Sequence, residues 1–224
     1  KSPLVTEGAP YAALSPDVVL AAVDEAGSWS DGRLLTLNSY ENRVFQVGLE
    51  DGGFVVAKFY RPGRWTDAAI LEEHAFALEL AAAELPMVAP LVFDGQTLLR
   101  HAGYRYALYP RRGGRAPSLE SVDQLEWLGR LLARMHAVGA RDRFQARGVL
   151  DRPTMIEAPM RATLGSALLP AHLFDAYRHA AGRVDDAVAH RIEAVGPVQR
   201  IRLHGDCHPG NVLWTDAGPH FVDL

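Results

Sequence analysis

Near the end of the chain His204-Gly205-Asp206 is followed by Asn211 and then, in an apolar setting, by Asp223. Asn211 and Asp223 offer the hard oxygen ligands that Mg²⁺ takes, a small cation commonly held by only one or two protein groups plus nucleotide phosphates and water. Asp206 is left free to accept the proton of an incoming hydroxyl and aim it in line at a phosphoryl group. Four residues separate Asp206 from Asn211, the H-x-D-x-x-x-x-N spacing of a kinase catalytic loop, with Gly205 where Arg is usual. Taken singly, each group reads as a turn cap or a strand-end residue. Together they point to phosphoryl transfer, with Asp206 and Asp223 as catalytic carboxylates and Asn211 and Asp223 as metal ligands.

Short strands must position them. Ile201-Arg202-Leu203, Val212-Leu213-Trp214 and Phe221-Val222 read as strands, with Asp216-Ala217-Gly218-Pro219 as the turn that brings Asp223 back beside Asn211. Upstream, Phe54-Val55-Val56-Ala57-Lys58-Phe59 describes a buried strand carrying one cation, close to the strand-borne V-A-I-K lysine of kinases. A buried ammonium needs a partner or a phosphate, so Lys58 is the candidate for ATP phosphates. Thr66 and Asp67 open a helix expected to run to about Ala83, with Pro86 beyond its end. It offers Glu72, Glu73 and Glu79. Glu73 shares its face with Ile70, Ala77 and Leu80 and is the expected partner of Lys58, with Glu72 as the alternative.

At 224 residues the chain suits two lobes, each with its own core. Strand-like segments at 35–37, 43–49, 54–59, 90–94 and 104–109 fill an N-terminal lobe over 1–106. Ala107-Leu108-Tyr109-Pro110 reads as a hinge, 107–111, with backbone groups such as those of Leu108 available to an adenine edge. From Ser121 the pattern turns helical: Ser121 with Gln124 suggests a capping box, Leu125, Leu128, Leu132 and Met135 recur at helical spacing, and Gly139 suits the stop. Residues 112–224 form a mainly helical lobe. No G-x-G-x-x-G phosphate loop is present.

The stretches Leu37-Asn38-Ser39-Tyr40-Glu41-Asn42-Arg43-Val44, Lys58-Phe59-Tyr60-Arg61-Pro62 with Arg64-Trp65, Leu71-Glu72-Glu73-His74, Gly95-Gln96-Thr97-Leu98-Leu99 and Leu203-His204-Gly205-Asp206-Cys207-His208 with Gly210-Asn211 resemble the bacterial stress response kinase A family. That family belongs to the aminoglycoside phosphotransferase and choline kinase-like group. The catalytic-loop motif is common to the whole group, whereas the Asn-Ser-Tyr-Glu-Asn-Arg and Lys-Phe-Tyr-Arg-Pro stretches are narrower. The resemblance implies an α+β, protein kinase-like two-lobed fold, with an antiparallel sheet and one helix in the N-terminal lobe. It implies an ATP- and Mg²⁺-dependent kinase acting on protein serine or threonine in the cytoplasm, in stress response. It also implies that Ser39, in the 38–43 turn, reaches ATP in place of a Gly-rich loop. The family continues beyond the position of Leu224, so the second lobe is expected to be incomplete and this chain alone to turn over weakly.

Two other classes compete. His204, Asp206 and His208 form an H-x-D-x-H string that suits a metal site in a hydrolase, and a kinase-like chain can be a non-catalytic scaffold. Within the kinase class, an amino-alcohol, aminoglycoside or choline-like acceptor would use the same Asp206. A net charge of -4 gives no basic footprint for nucleic acid, and the Arg111, Arg112 and Arg115 cluster reads as a solvated loop or an acceptor for an acidic group. Cys207 is the only cysteine, so no internal disulfide forms, and it reads as a small, partly buried residue. His136 reads as a core imidazole. No membrane span or signal peptide pattern is visible, and a soluble cytoplasmic monomer is expected.

Overall fold

In a computed structural model that describes residues 10–224, the elements run α1 (Pro16–Glu25), β1 (Ser30–Leu37), β2 (Arg43–Leu49), β3 (Phe54–Phe59), α2 (Asp67–Ala82), β4 (Leu99–His101), β5 (Tyr104–Pro110), α3 (Val122–Gly139), α4 (Ala158–Leu164), α5 (Phe174–Val195), β6 (Val212–Thr215) and β7 (Gly218–Phe221). They fall into two compact units, one extending to Ala146 and rejoined by Ile201–Leu224, the other Arg147–Arg200.

Strand alternation decides what each face of the five-stranded antiparallel sheet, ordered β1-β2-β3-β5-β4, carries. Residues opposite one another share a face. One row therefore runs Thr36, Phe45, Ala57, Leu108, and the next row on the other face runs Leu37, Val44, Lys58, Ala107. The first face packs under α1, whose Val19, Ala22 and Val23 recur at helical spacing and are fully buried against Phe45, Val47, Ala57, Phe59 and Leu108. Helix α1 begins with Ser15 accepting the Val18 N–H and Pro16 in the first turn. It is a second helix on this sheet where one was expected. The opposite face bears Lys58 and receives α2, where Tyr60, Ile70 and Ala107 form a small buried cluster.

Helix α2 spans nearly the range expected, with Thr66 capping the Ala69 N–H. Its other side joins a second core with α3 and the β6–β7 hairpin: Phe76, Leu80, Leu131, Met135, Val212 and Phe221. Ser121 caps α3 by accepting from the Gln124 N–H. Three local expectations need correction. Residues 90–94 form no strand; Leu91 instead donates one N–H to the Leu108 carbonyl, and the edge strand is β4. Residues 201–203 are extended but unladdered, held by one backbone bond from Arg202 to Gly139. Gly218 and Pro219 belong to β7, leaving Asp216-Ala217 as the hairpin turn.

Arg202 fixes the approach to the catalytic loop. Its guanidinium is buried, lies 4.4 Å over the Phe76 ring, pairs with Glu79 at 2.7 Å and donates to the Val138 carbonyl. That approach is possible because residue 139 lacks a side chain, since a Cβ there would lie 2.1 Å from the Arg202 carbonyl oxygen.

In the second unit, Arg152 makes a bidentate pair with Asp185 of α5 at 2.5 and 2.8 Å. No residue of 147–200 is fully buried, and Leu168, Val184, Ile192 and Val195 are exposed. Among the described residues no helix is long and apolar enough to cross a membrane.

The two glycines of α3, Gly129 within it and Gly139 at its end, should respond oppositely to alanine. Gly139→Ala is expected to destabilise by about 3 kcal/mol, at the upper end of overpacking costs. Gly129→Ala, with open space around it, is expected to stabilise by roughly 0.5–1 kcal/mol. Urea unfolding of both variants measures the difference.

Candidate active site

Besides Lys1 the sequence holds a single lysine, Lys58, and the fold buries it. Its ammonium lies 3.4 Å from Glu73 and 2.5 Å from Asp223, with Nζ 5.2 Å from the centroid of the Tyr60 ring. Burial alone would strip the proton from Lys58, but Glu73, Tyr109 and Asp223 outweigh it and hold the ammonium above its ordinary value. Burial pushes the Tyr109 hydroxyl up to about 12, with Lys58 opposing, and Tyr60 is raised as well. Both phenols stay protonated. Tyr60 hydrogen-bonds His74 at 2.7 Å and Tyr109 at 3.0 Å, and His74 reaches Thr97 at 2.8 Å. This buried chain of polar groups fixes the wall beside Lys58, and nothing in the sequence signalled it beyond the family-like Tyr60 and His74.

The three glutamates of α2 divide the work. Glu73 faces Lys58. Glu72 lies on the exposed side and accepts the Gln145 and Ala146 N–H groups at 2.6 and 2.8 Å, closing the loop after α3. Glu79 holds Arg202.

Asp223 arrives by way of the hairpin. Phe221 in β7 pairs with Val212 in β6 and, on its other side, exchanges backbone bonds with Pro86 and Val88, just past the end of α2. Val222 donates to the Asn211 carbonyl at 3.1 Å. Asp223 then turns into the left-handed region, φ 61°, a conformation Asp tolerates better than most residues. The same hairpin carries Asn211, largely buried in the turn leading into β6. The Asn211 side-chain amide donates to the Asp206 carbonyl at 3.0 Å and approaches its carboxylate at 3.4 Å. With its nitrogen so engaged, the Asn211 oxygen is the atom left for a cation. Lys58, Glu73 and Asp223 together carry one excess negative charge, so a hard divalent cation fits the donor set on both charge and ligand type.

Asp206 itself is exposed, in the loop that Arg202 anchors. Gly205 before it takes φ 82°, a conformation glycine adopts without strain and arginine would not. The neighbouring histidines do not gather into a metal centre. His204 is buried against Phe221, and burial lowers its pKa, so it is neutral. His208 accepts the Gly210 N–H through Nδ1. Among the described residues no three His, Cys, Asp or Glu side chains come together. Cys207 is exposed as a residue rather than partly buried, and partial desolvation of its thiol, together with the Asp206 carboxylate beside it, raises the thiol pKa. His136 is exposed on α3, not a core residue.

Leu108 does not line the Lys58 side of the sheet. It lies inside β5, its side chain packs under α1, and its carbonyl accepts from Leu91. Because of the alternation, Tyr109, Val56 and Gln46 share the face of Lys58 instead, and Arg111 donates to the Gln46 amide oxygen at 3.2 Å. The segment after β5 continues along the hairpin, exchanging two backbone bonds between Arg115 and Trp214. Gly114 allows this, since a Cβ there would lie 2.7 Å from the Leu213 backbone. Ser39 is half-buried in the turn between β1 and β2. That turn is tied down by Asn42, which accepts the Arg61 N–H at 3.2 Å, and by Glu41, which pairs with Arg64 at 2.9 Å.

A sequence model of the phosphotransferase enzyme family matches residues 34–224, and the chain belongs to that family. It is 44% identical over 215 residues to stress response kinase A of Escherichia coli strain K12, an alignment covering 96% of this chain and 64% of the relative. It is 43% identical over 214 residues, with the same coverage, to serine/threonine protein kinase RdoA of Salmonella typhimurium strain LT2. The chain thus spans somewhat less than two thirds of the length of these curated relatives. Among solved structures, a microcompartment-associated aminopropanol kinase matches with TM-score 0.71 at 18% identity, over 92% of this chain and 69% of that one. Amicoumacin kinase hAmiN, in complex with AMP-PNP, Ca²⁺ and Ami, matches with TM-score 0.68 at 15% identity, over 91% and 62%. At such identities the likeness shows the fold alone, which is the α+β kinase-like fold.

Two predictions follow from this geometry. In Glu73→Gln the buried ammonium loses one of its two carboxylates, so acylation of Lys58 by an amine reagent at pH 8 should accelerate severalfold. Glu72→Gln should leave that rate unchanged and instead speed amide exchange at Gln145 and Ala146. Since its thiol pKa is raised, Cys207 should alkylate more slowly at pH 7.5 than free cysteine and gain rate as pH rises past 9, whereas Asp206→Asn should shift that profile to lower pH.

Proposed function

We propose that the chain is the ATP- and Mg²⁺-binding part of a kinase that phosphorylates serine or threonine hydroxyls on proteins. The observation that carries this reading is the convergence of Lys58, Glu73 and Asp223 beside the middle of α2, with Asn211 and Asp206 on the adjoining loop. In this proposal Lys58 binds the nucleotide phosphates, releasing Asp223 from the contact it otherwise makes. Asn211 and Asp223 hold Mg²⁺, which when bound neutralises charge on the phosphates. Ser39 approaches ATP from the β1–β2 turn, and the half-exposed apolar strip of Leu35, Val44 and Val56 on the Lys58 face offers a surface for the adenine. The acceptor hydroxyl gives its proton to Asp206 as its oxygen bonds to the γ-phosphorus and the bond to the bridging oxygen breaks.

The names of the stress response kinase A and RdoA relatives favour a protein acceptor. The names of the structural neighbours, an aminopropanol kinase and an amicoumacin kinase, favour a small alcohol or antibiotic. At 43–44% identity the first group weighs more than fold likeness does. A location in the cytoplasm, as for a stress response kinase, belongs to the same proposal.

Transfer of radiolabel from ATP to a protein extract and to a panel of amino alcohols and aminoglycosides, run side by side, tests the reading. Label is expected in protein. Label confined to the small molecules would establish the alternative acceptor, and no label in either would overturn the catalytic reading for this chain. Asp206→Asn should reduce kcat by about 10²–10⁴-fold, the range for a lost general base. Lys58→Met should reduce it by about 10²–10³-fold, as for a lost electrostatic donor.

A further inference from the structure

The segment from Tyr60 to Asp67, distinctive in sequence, lies outside the set of groups that would transfer the phosphoryl group. It forms one side of a separate pocket of about 450 Å³, whose other side is the β4–β5 turn. Three arginines line it. Arg64 lies on Trp65, with 4.5 Å from guanidinium carbon to ring centroid, and pairs outward with Glu41. Arg105 is largely buried and donates to the Trp65 carbonyl and to Asp67, both at 2.8 Å, and Arg100 pairs with the other Asp67 oxygen. Asp67 is the only carboxylate in the lining, and its hydrogen bond from Arg105, with Arg100 beside it, holds it below the ordinary range and therefore ionised. Three guanidiniums against Asp67 and the Glu41 that Arg64 reaches leave a surplus of one positive charge. The Arg64 and Arg100 side chains are 51% and 63% exposed, so their remaining N–H groups are open to a ligand.

An anionic group suits that positive balance, and guanidinium forks match the oxygen spacing of a phosphate better than an ammonium does. The volume falls within the range of small-ligand pockets, about 300–1,000 Å³, and exceeds what an inorganic anion fills. The half-buried Trp65 supplies flat apolar surface for the remainder. We propose that this pocket is a second, non-catalytic site that binds a phosphate monoester, with its dianionic head between Arg64 and Arg100 and its organic body against Trp65.

Calorimetric titration of the protein with free phosphoserine, a phosphoserine peptide, its unphosphorylated form and inorganic phosphate tests this, with Trp65 fluorescence as a local reporter. Phosphoserine is expected to bind, to change the fluorescence, and to lose at least tenfold in affinity in Arg64→Gln/Arg100→Gln, while Lys58→Met leaves binding intact. Trp65→Phe should abolish the optical change. Tighter binding of the phosphopeptide than of phosphoserine assigns the head to a protein-borne ester, and equal binding assigns it to a small molecule; both support the site. Should the double Gln variant fail to fold, Arg64→Lys/Arg100→Lys keeps the charge without the forks and is expected to weaken binding by severalfold. The proposal is overturned by absence of phosphoserine binding, by unchanged affinity in the arginine variants, or by loss of binding in Lys58→Met, which would put the ligand in the nucleotide site.

Discussion

One buried ammonium organises this molecule. Removing a charge from water is so unfavourable that Lys58 can occupy the interior of β3 only with carboxylates against it. The structure supplies two of them from elements far apart in sequence, Glu73 fifteen residues on and Asp223 a further hundred and fifty. Each comes from an element with its own core contacts: α2 through Ile70, Phe76 and Leu80, and the hairpin through Val212 and Phe221. The pairing therefore does not hold the chain together by itself. Two hydrophobic cores bring two carboxylates to one place, and the lysine is the counter-ion they require.

Helix α2 is what makes this convergence rigid. Its three glutamates point in three directions and satisfy three different donors, an ammonium, a pair of loop N–H groups and a buried guanidinium. Through Glu79 and Phe76 it holds Arg202, and with it the start of the catalytic loop. Through the segment after its C-terminus it bonds to β7 and so to Asp223. A shift of α2 would displace Lys58's partner, the loop carrying Asp206 and the strand preceding Asp223 together. The groups argued to act in concert are thus mechanically one body, as positioning of reacting groups to fractions of an ångström demands.

Much of this was legible in the sequence because it depends on local pattern. The cap at Thr66, the apolar face containing Glu73, the cap at Ser121 and the alternation of β3 all follow from residues within a few positions of one another. The spacing of Asp206, Asn211 and Asp223 implied a hairpin, and a hairpin forms. What sequence could not show depends on long-range placement. Which face of β5 meets α1 and which meets Lys58 is set by the register with β3, so Leu108, plausible as a cleft residue, lies on the far face and Tyr109 takes the near one. Residues 90–94 look like a strand, yet the only backbone bond they give β5 comes from Leu91, and the three-residue edge strand β4 takes the place alongside. The apolar pattern of α3 includes His136, which the helix turns to solvent because its neighbours Met135 and Val138 take the buried side.

The two narrow sequence stretches gain a common explanation from the fold. The Asn-Ser-Tyr-Glu-Asn-Arg turn and the Lys-Phe-Tyr-Arg-Pro segment are twenty residues apart at their starts, and they touch: Asn42 accepts from Arg61, Glu41 pairs with Arg64, and Tyr11 donates to the Glu41 and Phe59 carbonyls. A turn that lacks the glycines of a phosphate loop is less free to fold its backbone N–H groups around a phosphate, and this one is held still. Side-chain bonds to the segment following Lys58 do that. They place the turn bearing Ser39 in fixed relation to the lysine, so that this edge of the sheet is set by polar contacts rather than by glycine flexibility.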